Sequence, residues 1–326
     1  MPRPAAGLTA ACVLALALSP PSGCACGPSE CASPDGVAVD VPEARLGDEP
    51  LSVVTINLLH GWSDQRNDAT LDDRLEVVAA ALAELRPHVV LVQEASVTPS
   101  DRHCNVVATL RARLAATSGE LWGSAHAPRN GADLVSFVEG PGLLARIAFG
   151  DVEVLEFEAQ QAFERRVAVL AAVEGGPHVV SAHLAHHDDE LRDGTLIRVL
   201  QARELAGRVA ALAPGGALPP AVLGGDLNDV PGSETLDALL DAGSVDLWTQ
   251  GAPLEAEGGT ELVGAVDDPG ASYARRIDHL LGFGGVAATG CARVLDAPVD
   301  AGGVLLWPSD HAGVSCTVAL PDTETH

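Results

Sequence analysis

The segment Ala221-Val-Leu-Gly-Gly-Asp-Leu-Asn-Asp-Val-Pro-Gly232 is the most informative stretch of this 326-residue chain. Its apolar start, Ala221 to Leu223, predicts a buried strand, which the two glycines are expected to end. Asp226 and Asn228 follow two residues apart, so an extended backbone places them on one side. A carboxylate can take a proton from water, and an amide can donate a hydrogen bond to an oxyanion. Alone, the segment is equally consistent with a plain strand-to-turn junction, because Asp and Asn favour turns for local reasons.

Polar side chains also follow other runs that predict strands. Leu51 to Ile56, Val89 to Val92 and Val179 to Ala182 are apolar runs of the kind that form buried strands. Two segments nearer the C-terminus combine a carboxylate and a histidine with β-type sequence. The polar residues at these places are Asn57, Gln93-Glu94, His183, Asp278-His279 and Asp310-His311. Because strand ends at one edge of an α/β sheet collect ligand-binding groups, we expect these residues to form one site.

In chain order, these segments resemble the motif series of the endonuclease/exonuclease/phosphatase superfamily, which has the DNase I-like fold. The resemblance extends from about residue 51 to about residue 320. Each motif is short, but their shared order is hard to reach by accident. The segments that carry the resemblance are Thr55-Ile-Asn57, Gln93-Glu94, Gly142-Leu-Leu-Ala-Arg146, Ala182-His183-Leu184, Gly225-Asp-Leu-Asn228, Arg276-Ile-Asp278 and Ser309-Asp-His311.

The resemblance and the predicted elements imply the same fold class. This is an α/β (α+β) fold, a four-layer α-β-β-α sandwich in which two stacked, mostly antiparallel or mixed sheets are flanked by helices. Helical spacing of apolar residues predicts a helix from Thr70 to a stop before Pro87. Further helices are predicted over residues 105–116, 194–212 and 233–241, and meandering antiparallel strands over residues 121–173.

The resemblance implies a metal-dependent phosphoester hydrolase and gives each polar group a role. Glu94 is the expected Mg²⁺ ligand, with Asn57 and Asp310 beside it, since proteins hold this ion through a few hard oxygen ligands and water. Mn²⁺ and Ca²⁺ are the alternatives to Mg²⁺. Asp226 is expected to orient or deprotonate the attacking water, and Asn228 to steady the phosphoryl oxygens.

Two histidines complete the expected catalytic group. By the resemblance, His311 binds or protonates the phosphate with its ring held by Asp278, and His183 protonates the leaving oxygen. Taken alone, each residue has a structural explanation as well: Asn57 as a loop cap, Glu94 as a solvated strand end and His183 as a core histidine. Other histidines are predicted to have structural roles only, namely His60, His126, His186 and His187.

The charge of the chain limits its substrate. There are 45 acidic and 19 basic residues, a formal net charge of −26, and no lysine. The absence of lysine excludes a Walker-type phosphate loop and Schiff-base chemistry. Strong negative charge opposes duplex DNA, whose affinity depends on lysine and arginine at phosphates. The arginine pairs Arg165-Arg166 and Arg275-Arg276 are interpreted as local features, so a small molecule or a lipid head group is favoured over DNA.

One position departs from the superfamily pattern. Nucleases of the superfamily often carry an acidic residue two positions after the first motif's asparagine, where this chain has Leu59. This departure disfavours an abasic-site endonuclease.

The N-terminal residues predict export. Arg3 and the apolar run Ala5 to Leu18 are typical of a signal peptide, and the run is too short to span a membrane. Pro21-Ser-Gly-Cys24 resembles a bacterial lipoprotein cleavage box, which predicts a lipidated Cys24 and a peripheral membrane contact; ordinary cleavage nearby is the alternative. The predicted organisation is a signal peptide at 1–23, a flexible tether at 24–49, the catalytic domain at 50–320 and a tail at 321–326. The predicted location is the bacterial cell envelope, the periplasm or the medium.

Export permits disulfide bonds. Cys26 with Cys31 and Cys291 with Cys316 are the candidate pairs, and Cys104 is left over. The sequence does not fix the connectivity.

The segment Val304-Leu-Leu-Trp307 lies immediately before Ser309-Asp-His311, at the expected mouth of the site. Either it contacts a membrane, as an apolar hairpin does in secreted bacterial sphingomyelinases, or it is a buried strand end. A secreted nuclease and a lipid phosphodiesterase are the enzyme alternatives. A binding protein with a decayed site and a carbohydrate-binding sandwich are the alternatives that are not enzymes.

Overall fold

Two mixed β-sheets form the centre of the protein in this computed structural model, which describes residues 37–60, 65–97, 105–132, 137–161, 164–186, 194–213, 217–253 and 258–321. The strands of the described residues are β1 (Leu51–Asn57), β2 (Val89–Val97), β3 (Gly123–His126), β4 (Asn130–Ala132), β5 (Phe137–Ala145), β6 (Phe149–Glu156), β7 (Val167–Val173), β8 (His178–His183), β9 (Ala221–Asp226), β10 (Val245–Asp246), β11 (Leu262–Val263), β12 (Ser272–Tyr273), β13 (Asp278–Phe283), β14 (Ala287–Val294), β15 (Val299–Ala301), β16 (Val304–Leu306) and β17 (Gly313–Ala319). The helices are α1 (Gln65–Leu85), α2 (Val106–Ser118), α3 (Gly194–Ala210), α4 (Glu234–Asp241) and α5 (Leu247–Gly251).

Each large sheet combines antiparallel pairs with one parallel pair. The first sheet has the order β14-β17-β1-β2-β5-β3, with β4 also paired to β5, and its parallel pair is β1–β2. The second has the order β10-β13-β9-β8-β7-β6, and its parallel pair is β8–β9. The short strands β11–β12 and β15–β16 form separate hairpins.

Three apolar clusters separate four layers. Between the sheets, Val53 and Leu91 of the first sheet belong to one cluster with Val222 and Leu280 of the second. The outer face of the first sheet packs against α1 and α2, and the outer face of the second packs against α3 and α4. Strands covered on both faces are apolar on both faces, which explains their nearly continuous apolar sequences. The predicted four-layer α-β-β-α sandwich is confirmed.

The helices begin close to the predicted residues, with one exception. In α1, Leu71, Leu75, Val78 and Leu82 form the buried stripe that the spacing predicts, but the helix starts at Gln65 instead of Thr70. The starts of α2 and α4 are fixed by side chains at their N-caps, which accept backbone N–H groups of the first turn. These caps are Asn105, which accepts from the N–H of Ala108 at 3.0 Å, and Ser233, which accepts from that of Leu236 at 3.4 Å.

The prediction that the two glycines end β9 is wrong, because β9 continues through them to Asp226. A Cβ at Gly224 would lie 2.6 Å from Leu91 Cδ1 in the opposite sheet. A Cβ at Gly225 would lie 1.9 Å from the carbonyl oxygen of Ala182 on the neighbouring strand. The glycines are therefore required by close packing and not by a turn.

β2 also extends beyond its predicted end. It continues to Val97, and its register against β5 shifts between Val92 and Ala95, which leaves Glu94 in a β-bulge. Glu94 has a φ of 52°, a region that residues other than glycine adopt rarely. Glu94 thus lies at a bulge inside a strand, where the bulge directs its side chain away from the regular alternation.

Part of the predicted tether belongs to the folded domain. Val39 and Ser124 exchange two backbone hydrogen bonds, and Leu46 is buried against the cluster between the sheets. These apolar side chains have a place to pack, which the composition of residues 24–49 did not indicate. The predicted signal peptide and lipidation site lie outside the described residues, as do Cys26, Cys31 and Cys104.

Cys291 and Cys316, one of the two candidate pairs, form a disulfide between the paired strands β14 and β17. Within the described residues, no helix is both long and apolar enough to cross a membrane.

The apolar segment before Asp310 divides into an exposed hairpin and a buried tryptophan. Val304 and Leu305 of β16 are 52% and 43% exposed. Trp307 is buried, donates to the carbonyl oxygen of Asp268 and meets Tyr273 edge-on. The strand-end interpretation therefore holds for Trp307, whereas the hairpin presents apolar side chains to solvent.

Candidate active site

Neighbouring strands of the second sheet place His183, Asp226 and Asp278 side by side. His183 is the register partner of Asp226 in the parallel pair β8–β9, and Asp278 is its partner in the antiparallel pair β9–β13. All three side chains are buried. The register of the sheet thus brings together residues that the sequence placed on separate strand ends.

Asn57, at the end of β1, connects the two sheets at this point. Its Nδ2 donates to Glu94 Oε1 and to Asp226 Oδ2, both at 3.1 Å. Its Oδ1 accepts a hydrogen bond from the backbone N–H of Leu59 at 3.0 Å. Asn57 therefore positions two carboxylates, and its role as a metal ligand, which the resemblance implies, stays a prediction.

Asp226 lies between two imidazoles. Its Oδ2 is 3.5 Å from His183 Nε2 and 3.7 Å from His311 Nε2. Its Oδ1 accepts the backbone N–H of Asn228 at 2.9 Å. Burial raises the pKa of Asp226 to about 7, because the charge on His311 offsets the desolvation only in part. A carboxylate with this pKa is suited to accept a proton near neutral pH.

Asp278 holds the ring of His311. His311 Nδ1 donates to Asp278 Oδ2 at 2.7 Å, and the backbone N–H of His311 donates to Ser309 Oγ at 3.2 Å. Burial opposes a charge on the ring, but the carboxylates of Asp278 and Asp226 outweigh it and raise the pKa of His311 well above its usual range. The predicted carboxylate–histidine pair is present, and it favours the imidazolium form.

Asn228 has a φ of 53°, in the left-handed region that Asn tolerates better than most residues. Its Nδ2 donates to the carbonyl oxygen of Leu184 at 3.0 Å, and its Oδ1 lies 3.0 Å from His186 Nδ1. An amide nitrogen carries two hydrogens, so one N–H of Asn228 can still serve a ligand. His186, predicted to be only structural, contacts this amide and so belongs to the rim of the site.

A buried arginine lies behind His183. Arg166 Nη1 donates to His183 Nδ1 at 2.9 Å and lies 3.3 Å from Glu139 Oε1. Its Nε lies 3.5 Å from Glu164 Oε2. Burial opposes the charge of Arg166, but the two glutamates raise its pKa. Burial and the charge of Arg166 together lower the pKa of His183 well below its usual range.

A second buried arginine fixes the loops beside Glu94 and Asp310. Arg74 of α1 donates to the carbonyl oxygens of Leu58 at 2.8 Å and Leu59 at 2.9 Å, and more weakly to that of Pro308 at 3.4 Å. Burial lowers the pKa of Arg74 to about 10, against the opposing effect of the nearby carboxylates. Arg74 therefore remains a cation and fixes the backbone on both sides of the site.

The donor set at Glu94 and Asp310 fits a hard divalent cation, because carboxylate oxygens are the ligands that Mg²⁺ prefers. Glu94 Oε2 accepts the backbone N–H of His60 at 3.3 Å, and Asp310 Oδ1 accepts from Ser309 Oγ at 3.2 Å. Burial raises the pKa of Asp310, and the negative charge of Glu94 raises it further against the effect of His311. Two carboxylates that repel each other are stabilised by a cation.

A second group of ligand-type atoms lies close by. Atoms of Asp226, Asp278 and His311 lie within 4.8 Å of one another. The hydrogen bond between His311 and Asp278 already occupies one atom of each. We therefore assign this group to the carboxylate–histidine pair.

Sequence reasoning missed several residues around the site. They are His60, Arg74, Glu139, Arg166 and His186. None of them directly follows an apolar run at a strand end, which was the pattern used to find the others. The spacing of His183 and His186 was the one available signal; the rest become visible only when strands distant in sequence are aligned.

Comparison with known proteins agrees with this geometry. A sequence model described as "Endonuclease/Exonuclease/phosphatase family" matches residues 54–311. No curated protein matched the sequence.

Several solved structures share the fold at low sequence identity. A family protein from Bacteroides thetaiotaomicron is 17% identical with a TM-score of 0.64, over 85% of this chain and 100% of that chain. A mannosyl-6-phosphatase from Bacteroides thetaiotaomicron VPI-5482 is 17% identical with a TM-score of 0.63, over 83% and 100%. TDP2 from D. rerio, complexed with a single-strand DNA product, is 21% identical with a TM-score of 0.59, over 84% and 100%.

Proposed function

Because the chain belongs to the endonuclease/exonuclease/phosphatase family, we propose that it is an exported, Mg²⁺-dependent hydrolase that cleaves a phosphomonoester or phosphodiester through attack by water. Family members are hydrolases that act on phosphoesters, and they generally depend on a divalent metal. The observation that carries the proposal is the position of Asp226, which Asn57 holds between His183 and His311.

Asp226 orients the attacking water and takes its proton. Burial has raised the pKa of this carboxyl to about 7, so it accepts a proton more readily than an exposed aspartate. The backbone N–H of Asn228 fixes one of its oxygens, so the other faces the imidazoles. The remaining N–H of Asn228 donates to a phosphoryl oxygen, where negative charge increases during the attack.

His311 supplies positive charge to the same group. Asp278 holds its Nδ1–H, so its Nε2–H is the donor directed into the site. An imidazolium in a partly dehydrated pocket stabilises the charge on a pentacoordinate phosphorus more than it would in water.

Glu94 and Asp310 would hold Mg²⁺, with Mn²⁺ or Ca²⁺ as alternatives. When bound, the ion neutralises charge on the phosphate. Asn57 positions Glu94, and Arg74 fixes the neighbouring loops. These contacts restrict the positions of the two carboxylates.

The first test is hydrolysis of bis-p-nitrophenyl phosphate and p-nitrophenyl phosphate with Mg²⁺ and with EDTA. Activity that requires Mg²⁺ and is lost in Asp226→Ala and His311→Ala supports the proposal. Asp151→Ala, at an exposed position of the edge strand β6, is the matched control and should keep full activity. Absence of activity on every phosphoester would leave a binding protein as the better interpretation.

A small phosphoester is the favoured substrate. The net charge of −26 opposes a polyanion, and Arg166, the arginine that contacts His183, is buried and has little surface to offer to a phosphate chain. One protein of similar structure is a mannosyl-6-phosphatase, which supports a sugar phosphate as the substrate. Another, TDP2, was solved with a single-strand DNA product, so DNA stays among the substrates to be tested. A panel of mannose 6-phosphate, inositol phosphates and plasmid DNA distinguishes these substrates by phosphate release or nicking.

A lipid phosphodiester is the second candidate, because the hairpin β15–β16 exposes Val299, Val304 and Leu305 near the site. Sphingomyelin in vesicles tests this candidate. Val304→Asp with Leu305→Asp should reduce hydrolysis of vesicles while leaving hydrolysis of p-nitrophenyl esters unchanged. Equal loss on both substrates would contradict a role in lipid binding.

Export and lipidation of Cys24 remain proposals. The disulfide between Cys291 and Cys316 supports an oxidising compartment. Mass spectrometry of the N-terminal peptide from the native host distinguishes a lipidated Cys24 from an ordinary cleaved N-terminus.

A further inference from the structure

The contact between Arg166 and His183 fixes the position of a proton. Arg166 Nη1 lies 2.9 Å from His183 Nδ1, and both side chains are buried. A guanidinium has donors and no acceptor, so Nδ1 must be the ring nitrogen without hydrogen. A neutral His183 therefore carries its proton on Nε2.

The same arrangement occurs a second time in this protein. Arg276 Nη1 lies 3.2 Å from His279 Nδ1, and His279 Nε2 donates to the carbonyl oxygen of Asp229 at 2.9 Å. There the backbone satisfies the Nε2–H, and the histidine is structural. At His183, the Nε2 lies 3.5 Å from Asp226 Oδ2, longer than an ordinary hydrogen bond, and is directed toward the reacting groups.

The surroundings keep Arg166 charged. Glu139 of β5 and Glu164 of the segment before β7 flank it, and Asn130 Nδ2 donates to Glu139 at 2.6 Å. The ring of His183 also faces Asp226 of β9, with His311, His186 and His60 as the other titratable groups nearby. A cation buried between two carboxylates is costly to remove, so it acts as a permanent donor to His183.

We propose that Arg166 is a positioning residue that holds His183 as the neutral Nε2–H tautomer, so that His183 donates a hydrogen bond to the phosphoryl group and does not protonate the leaving oxygen. This inference rests on the proposed function and gives His183 a different role from the one that the resemblance implies. In the hydrolysis, the bond from water oxygen to phosphorus forms, the bond to the leaving oxygen breaks, Asp226 takes a water proton, and the leaving oxygen takes its proton from solvent.

The low pKa of His183 agrees with this role. Burial lowers it, and the charge of Arg166 lowers it further. An imidazole that stays neutral cannot act as an acid of useful strength near neutral pH, whereas its N–H remains a hydrogen-bond donor.

Nitrogen-15 NMR of the full, histidine-labelled chain reads the tautomer directly. His183→Gln assigns the signals. We expect His183 to keep an unprotonated Nδ1 and a protonated Nε2 from about pH 5 to pH 9, where ordinary histidines titrate. A protonated Nδ1, or titration of His183 in this range, would overturn the proposal.

Two variants test the cause. In Arg166→Met with Glu139→Gln, which removes the donor and one buried carboxylate together, His183 should lose its fixed tautomer or begin to titrate. The single variant Arg166→Lys keeps a charged donor at this position, so His183 should have the same tautomer as in the wild type. His279 is the internal control, because its own arginine is untouched and its signals should not change. A fixed tautomer in the folded Met/Gln variant would show that Arg166 is not the cause.

Kinetics separate a hydrogen-bond donor from an acid. Glutamine can place an N–H near the position of Nε2 but cannot supply a proton. If His183 is only a hydrogen-bond donor, the kcat of His183→Gln should therefore stay within about 10-fold of the wild-type value. The kcat of His183→Ala should fall by about 10²–10³-fold, the usual cost of removing one such donor. Both losses should be the same for p-nitrophenyl and alkyl phosphate esters. Equal losses in the two variants, or a much larger loss on the alkyl ester, would indicate an acid and contradict the proposal.

These outcomes can be told apart from failure of the proposed function. A wild-type chain without Mg²⁺-dependent hydrolysis would refute the function, while the NMR spectrum would still decide whether Arg166 fixes His183. An active wild-type chain with a protonated Nδ1 would refute the inference alone. If circular dichroism shows that the Met/Gln variant is unfolded, the wild-type spectrum and the His183→Gln and His183→Ala comparison decide.

Discussion

Asp278 lies opposite Asp226 in the antiparallel register of β9 and β13, and His311 stands between the two carboxylates. Its Nδ1 donates to Asp278 Oδ2 at 2.7 Å, and its Nε2 lies 3.7 Å from Asp226 Oδ2. One imidazolium thus compensates two neighbouring negative charges. Because His311 compensates its charge, Asp226 can be ionised although it is buried, also when a substrate is bound.

Removing the charge of Asp278 should disable His311. In Asp278→Asn the amide oxygen accepts only weakly from the Nδ1–H of His311, or the amide turns and its N–H forces the other tautomer of the ring. In both cases His311 loses the neighbouring negative charge that favours its imidazolium form. We expect kcat to fall by about 10²–10⁴-fold, the range seen when a carboxylate–histidine pair is broken. Steady-state kinetics with bis-p-nitrophenyl phosphate measure the effect.

Asp296→Asn is the control for this change, because Asp296 also pairs with a basic side chain, Arg293, but is partly exposed. Its kcat should equal that of the wild type. Wild-type kinetics in a folded Asp278→Asn variant would show that the pair has no catalytic role.

The site was predictable where a chemical group follows an apolar run. Asp226 and His183 were found this way, and Asp278 was found as a carboxylate beside β-type sequence; the register that aligns them follows from pairing neighbouring strands over their whole length. The four-layer arrangement was predicted from strands in both halves of the chain with helices between them, together with the family resemblance. Such local patterns predict the structure well because the fold requires these apolar runs to be buried.

Other features depend on contacts that no local pattern records. The bulge at Glu94 arises from the register shift between β2 and β5, which a single strand does not reveal. Arg166 was interpreted as a local feature, because nothing near it in sequence shows that β7 brings it against β8. The two glycines before Asp226 have the composition of a turn, and only the proximity of Leu91 and Ala182 explains them.

Glu94 should control the affinity for Mg²⁺. Glu94→Gln keeps the size and removes the negative charge, so binding of a hard cation weakens. We expect the Mg²⁺ concentration at half-maximal activity to rise by about 10-fold or more, within the range found for altered metal sites, with much of kcat recovered at saturating Mg²⁺. The measurement is a Mg²⁺ titration of initial rates, supported by calorimetry.

Glu120→Gln is the matched control, since Glu120 pairs with Arg86 far from the site. Its Mg²⁺ dependence should not differ from that of the wild type. If Glu94→Gln responds to Mg²⁺ as the wild type does, Glu94 is not a ligand.

A methyl group at Gly225 should destabilise the fold. In Gly225→Ala the new Cβ would lie 1.9 Å from the carbonyl oxygen of Ala182, so β8 and β9 must separate. We expect the free energy of unfolding to fall by about 3 kcal/mol, the upper part of the usual range for overpacking. Gly207→Ala in α3, where nothing lies within 4 Å, should instead raise it by about 0.5–1 kcal/mol. Urea unfolding measures both, and equal effects would contradict the packing argument.

His126 should make the fold sensitive to acid. Its Nε2–H donates to the carbonyl oxygen of Ala95 at 2.9 Å, and burial lowers its pKa to about 4. In the unfolded chain the pKa returns to about 6.5, so between roughly pH 6.5 and pH 4 the unfolded state binds more protons than the folded state. The free energy of unfolding therefore falls as the pH falls through this window, by about 3 kcal/mol from this residue.

His126→Gln can keep the hydrogen bond to Ala95 while removing the titrating group. When the pH is lowered through this window, the free energy of unfolding should fall less in the variant than in the wild type. The difference between the two decreases should be up to about 3 kcal/mol. His178→Gln, at a partly exposed position where burial lowers the histidine pKa less, should change the pH dependence less. Urea unfolding at the two pH values measures the difference, and an identical loss of stability in wild type and His126→Gln would show that His126 does not titrate on unfolding.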